Sequence, residues 1–225
     1  MAKPTVGIFG LTGCAGDQLV ILNCEEQLLD VLAAVDVRDF LMGSSANDTG
    51  CDLDLAFVDG AIVSREDEIL LRRVRERARY LVAIGTCAVW GGIATPSGAA
   101  ALREAVDVDL NITGCPIEKD QFLAAVSHLL NGDPPLWPDY PVCAECRMRE
   151  NNCLFVEKGE ICCGPLTAAG CNARCPNLGV ACIGCRGPAT DLNYPSALAA
   201  FSANGISRDH VEAKLRTFAR TGARQ

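Results

Sequence analysis

An α/β fold, with a parallel sheet covered by helices on both faces, is predicted for the first part of this chain by three observations. Near-continuous apolar runs of strand length begin at Thr5. Helical patterns separate them, and the alternation stops at a proline-rich break. Beyond the break there is little periodicity, only abundant Cys, Gly and Pro, the texture of a segment ordered by metal rather than by an apolar core. The sequence thus predicts a flavodoxin-like doubly wound domain over residues 1–135. A small irregular metal-binding domain with C-terminal helices follows over residues 136–225.

Each element has its own signal. TVGIFGL (Thr5 to Leu11) reads as a strand feeding a helix from about Gln18 to Ala34, and Val37 to Met42 reads as a weaker strand. LDLAFVDGAI (Leu53 to Ile62) leads to a helix from about Arg65 to Ala78. YLVAIGTCA (Tyr80 to Ala88) leads to a short helix near Ser97 to Ala105, and VDLNITGCP (Val108 to Pro116) to one from about Glu118 to Leu130. In NGDPPLWPDYP (Asn131 to Pro141) four prolines forbid a regular element. The tail from Ser196 to Thr217 reads as two short helices, with Gly205 stopping the first and Ser207 capping the second.

Composition narrows the function. A net charge of -8, with 49% hydrophobic and 21% charged residues, describes a globular chain with no electrostatic footprint for nucleic acid. Arg72, Arg73, Arg75, Arg77 and Arg79 follow Glu66, Asp67 and Glu68, acids first and bases last, as the solvated face of a helix prefers. The opening MAKPTVGIFGLTGC shows neither an apolar leader nor a twin-arginine signal, and no apolar run is long enough for direct membrane insertion. A cytoplasmic location is therefore expected. There, 14 cysteines point to metal rather than disulfides.

Eleven of the cysteines fall into three groups. Cys14, Cys87 and Cys115 are far apart in sequence, yet each follows the carboxyl end of a predicted strand close to Gly13, Gly85 or Gly114. In a doubly wound sheet those ends meet at one edge, where ligands bind, so the three thiols suit one four-iron, four-sulfur cluster. The fourth donor expected from position is Asp17, third after Cys14. The alternatives are that Asp17 caps its helix or that another thiol serves. Cys24 lies about two helical turns beyond Asp17, roughly 10 Å along the axis. Cys51 precedes a strand and belongs at the opposite end of the sheet.

The other eight crowd between Cys143 and Cys185. Cys143, Cys146, Cys153 and Cys162 form one set of four, and Cys171, Cys175, Cys182 and Cys185 another, among turns supplied by Gly164, Gly170, Gly179, Gly184 and Gly187. Two further four-iron clusters fit these sets, for three in all. Two structural zinc sites would use the same residue types. Cys24, Cys51 and Cys163 are left over and read as packing residues.

LTGCAGDQLVILNCEEQLL, GTCA, TGCP, CAEC, ICCGPLTAAGCNARCP and CIGCRGP together make the chain similar to the small subunits of group 3 nickel-iron hydrogenases. That family includes sulfhydrogenase delta subunits and the gamma subunits of methyl-viologen-reducing hydrogenases. The likeness runs from about Thr5 to Pro188 and is most specific in its second half. It implies that Cys14, Cys87 and Cys115 hold a proximal cluster facing a large subunit that carries the nickel-iron centre. Cys171, Cys175, Cys182 and Cys185 then hold a medial cluster, and Cys143, Cys146, Cys153 and Cys162 a distal one. Family members usually have cysteine where Asp17 stands. Their usual leucine falls on Cys163, which favours Cys162 as ligand.

The implied role is electron relay between hydrogen oxidation on the large subunit and a further flavin or iron-sulfur subunit. The electrons would end on a nicotinamide, a deazaflavin or a disulfide-reducing partner. A more distant likeness, confined to the first half, is to a cluster-bearing subunit of respiratory complex I, which would make the chain part of a quinone- or membrane-linked assembly. A zinc-stapled interaction scaffold is the reading without redox chemistry.

Overall fold

A computed structural model describes residues 3–24, 26–93 and 98–219. The chain divides into two compact units between Pro135 and Leu136. In the first, β1 (Thr5–Gly10), β2 (Asp36–Asp39), β3 (Leu53–Asp59), β4 (Ala78–Ile84) and β5 (Leu110–Ile112) form one sheet in the order β2-β1-β3-β4-β5. Every neighbouring pair is parallel. This is the flavodoxin-like doubly wound order, as the apolar strands require.

The core follows from strand alternation. Leu55, Ala56, Phe57 and Val58 of β3 are all fully buried, so both sheet faces are covered. On one face Ala56 and Val58 cluster with Leu71 and Val74 of α3 (Arg65–Arg77). On the other, the Phe57 ring meets Phe122 of α5 (Lys119–Leu130) edge to face, 4.9 Å between centroids. Ser64 starts α3 with a capping box, its hydroxyl accepting from Asp67 N–H while the Asp67 carboxylate accepts from Ser64 N–H.

The structure corrects three expectations. The helix expected from Gln18 to Ala34 is two, α1 (Gly16–Leu22) and α2 (Glu26–Ala34), because the chain closes α1 at Asn23, a residue whose side chain favours turns over helix. The strand expected from Tyr80 to Ala88 ends at Ile84. Gly85 takes φ 83, a left-handed conformation that no strand continues, and turns the chain into α4 (Gly85–Trp90). Of the helix expected near Ser97 to Ala105, Ser97 lies outside the described residues, Ala100 instead bridges to Ile62, and only Leu102–Glu104 turns, as a 3-10 helix.

The second unit carries α6 (Val142–Met148), α7 (Leu154–Lys158), α8 (Arg174–Asn177), α9 (Tyr194–Ala203) and α10 (Arg208–Arg216), with no strand longer than a single bridge among the described residues. Gly205, at φ 73, follows α9, and the Ser207 hydroxyl caps α10 by accepting from His210 N–H. One apolar cluster orders this unit. It joins Val142, Leu166, Phe201, Val211 and Leu215 to two thiols, Cys163 and Cys182. Among the described residues no helix is long and apolar enough to cross a membrane.

Candidate metal centres

Cys14 stands in the loop after β1, and Cys115 in the loop after β5, where the Cys115–Pro116 peptide is cis. Cys87 lies not in a strand-end loop but in the first turn of α4, which follows β4 directly. The loops are tied together, Thr86 N–H donating to Gly114 O at 2.8 Å and Ala61 N–H to Thr12 O at 2.9 Å. Burial pushes the Cys87 thiol up, and the negative charges of Asp59, Asp17 and Cys14 push it further. Groups at or beyond the carboxyl ends of β1, β3 and β4 therefore bear on one point. Glycine clears the space beside them: a Cβ at Gly92 would meet Cys87 Sγ at 2.5 Å, and one at Gly16 would meet Cys14 Sγ at 3.3 Å.

Asp17 is the second residue of α1 and does not cap it. It is only 6% exposed, and its Oδ1 accepts from Ile117 N–H at 2.7 Å. Its Oδ2 faces Gly85, where a Cβ would collide with it, so Gly85 serves both the turn and this carboxylate. Burial and the charge of Asp59 push the Asp17 carboxyl up to about 7. Asp59, 3% exposed, is likewise raised by burial, opposed by hydrogen bonds from Gln18 and Asp17. The Gln18 amide donates to Asp59 Oδ2 at 3.3 Å. Sequence reasoning missed Asp59. The available signal was an acid ending an apolar strand at the edge where doubly wound sheets bind ligands.

In the second unit the first set of four gathers. Burial pushes the Cys143 thiol up to about 12, and Cys162, Cys146 and Cys153 each add to the rise. Cys146 is raised by burial and by Cys162 and Cys153, against a hydrogen bond from Asn151. A Cβ at Gly164 would meet Cys143 Sγ at 3.3 Å and Cys162 Sγ at 3.5 Å. Cys182 N–H donates to Cys162 Sγ at 3.3 Å. Four thiols that act on one another electrostatically, with Cys143 and Cys146 raised, beside a glycine-lined space form a donor set that a cationic cluster would relieve.

The second set is placed by different neighbours. Cys175 sits in α8, Cys185 follows the left-handed Gly184, and Cys182 is buried, its thiol raised by burial and by Cys162 and Cys163. Cys171 is raised chiefly by burial, and Glu145 and Arg186 act on it with opposite signs. Among the described residues no three ligating side chains close tightly enough to hold a single metal ion; cluster ligands, each on its own iron, stand further apart. Of the spare thiols, Cys24 is buried and bonded to Val20 O, Cys51 lies beside Arg77 ahead of β3, and Cys163 packs in the second unit's core.

The family described as NADH ubiquinone oxidoreductase, 20 kDa subunit, matches residues 14–129. The chain belongs to this family. Relatives extend the relation over both units. The chain is 36% identical to the sulfhydrogenase 2 subunit delta of Pyrococcus furiosus, over 96% of this chain and 99% of that one. It is 29% identical to a subunit of the F420-non-reducing hydrogenase of Methanocaldococcus jannaschii, over 81% of each. In fold it resembles a chain of the reduced, active nickel-iron-selenium hydrogenase of Desulfomicrobium baculatum, with TM-score 0.63 and 21% identity, covering 92% of this chain and all of that one.

Proposed function

We propose that the chain is the electron-transfer small subunit of a cytoplasmic nickel-iron hydrogenase. In this reading Cys14, Asp17, Cys87 and Cys115 hold a proximal four-iron cluster, Cys171, Cys175, Cys182 and Cys185 a medial one, and Cys143, Cys146, Cys153 and Cys162 a distal one. When bound, such clusters pass single electrons. The protein's part is to supply soft thiolates, hold them apart in glycine-lined cradles and exclude water around the buried members. Hydrogen activation belongs to a large subunit, and a flavin or iron-sulfur subunit takes the electrons onward. The order of the sites is taken from the hydrogenase resemblance.

One observation carries the reading. Cys143, Cys146, Cys153 and Cys162 converge in a unit that the complex I type family match, over residues 14–129, does not reach and the sulfhydrogenase relative does. The proximity of Asp17 to Cys87 supports it as the fourth proximal donor, its carboxylate standing where a cysteine would in Cys-x-x-Cys.

Anaerobic purification from the native host tests the whole assignment. About twelve iron and twelve acid-labile sulfide are expected per chain, together with a larger nickel-containing polypeptide. Colourless, zinc-bearing protein without a partner would overturn the reading. For Asp17, a harder donor makes its iron the most labile, so mild oxidation should give a three-iron species that Asp17→Cys suppresses. A metallated structure with Asp17 still bonded to Ile117 and Asp59 and another donor on the iron would refute that ligand alone.

A further inference from the structure

We infer that Glu145 and Arg186 are an opposed pair of buried charges that shapes the loop carrying Cys171 and sets how readily a cluster on that loop accepts an electron. The inference rests on the reading of Cys171 as a cluster ligand. Glu145 lies between Cys143 and Cys146 in α6, yet it serves the other thiol set. It is 8% exposed, its Oε1 accepts from Gly170 N–H at 2.7 Å, and its Oε2 accepts from Ala173 N–H at 3.1 Å. The same Oε2 stands 3.9 Å from Cys171 Sγ.

Those bonds hold a strained loop. Asn172 and Ala173 take φ 54 and 50, a left-handed pair without glycine, which the crowding of each Cβ against the backbone disfavours. Glu145 pins Gly170, ahead of the pair, and Ala173, its second member. Arg186, directly after Cys185, is 3% exposed and donates through Nε to Ala169 O at 2.9 Å, holding the residue that leads into the loop. The thiol of Cys171 registers both charges, Glu145 pushing it up and Arg186 pulling it down, beneath the larger effect of burial. Reduction adds negative charge to a cluster, so a buried carboxylate nearby opposes it and a buried guanidinium favours it, and neither is screened as it would be in water.

Both residues are positioning residues, and the sign of the potential shift separates charge from mere support. In the intact complex, a redox titration followed by electron paramagnetic resonance should show Glu145→Gln raising the potential of one cluster and Arg186→Gln lowering that of the same cluster. Arg186→Lys should keep it near the wild-type value. Shifts in one direction for both variants would overturn the inference. So would unmoved potentials with full iron content, or loss of the cluster in Glu145→Gln with no shift in Arg186→Gln. Cys171→Ala is the control for the underlying reading: if it removes no iron and no signal, the assignment of Cys171 fails, and the inference with it.

Discussion

The two units meet the same demand, a rigid frame around thiols, by opposite means. In the first, β3 is buried on both faces by α3 and α5, and the three cysteines sit past strand ends, Cys14 and Cys115 in loops and Cys87 in α4, at the rim of a core that contains none of them. In the second, Cys163 and Cys182 belong to the apolar cluster itself, and α6, α7 and α8 are each seven residues or fewer. Helices that short are not stable alone. On the proposed cluster reading, the difference teaches where metal and fold are coupled: a rim site can lose its metal while the sheet persists, whereas a small unit whose short helices carry the thiol donors depends on its metal to stay ordered.

Metal removal should give the largest contrast. After chelation, amide hydrogen exchange is expected to stay slow in β3 and β4 and become fast through α6, α7 and α8; equal loss of protection in both units would break the comparison. Phe57→Ala should come next, costing about 3–5 kcal/mol in denaturant unfolding of the first unit by removing the ring packed on Phe122, with the second unit's iron retained. Gly85→Ala should cost about 2–4 kcal/mol, from a left-handed φ and a collision with Asp17, and should also reduce iron at the first unit's site. Ser64→Ala, which removes only the α3 cap, should cost about 1 kcal/mol and leave iron content unchanged, a baseline for damage remote from the thiols.

The contrast also explains what the sequence made legible. Apolar runs such as LDLAFVD announce buried parallel strands because periodicity is a local property, and β1, β3 and α5 lie close to where that pattern puts them. Gly85 was visible as a residue but not as the end of β4. A left-handed turn is invisible in an apolar run until its φ is known, so Cys87 moved from a strand-end loop into α4. The second unit lacks periodicity, and there only cysteine spacing could be read.

By itself, then, the sequence determined the fold class and the parallel sheet, since each follows from patterns a few residues long, and it supplied the cysteine spacing on which the proposed grouping rests. Tertiary structure alone decided which charges are buried and what they face. Asp59, at the end of β3, meets Asp17 of α1, and Glu145, set between two cysteines of one group, turns to the loop of the other. Such pairings depend on where loops from distant strands and helices close, and burial, which gives a charge its energetic weight, exists only once they have closed.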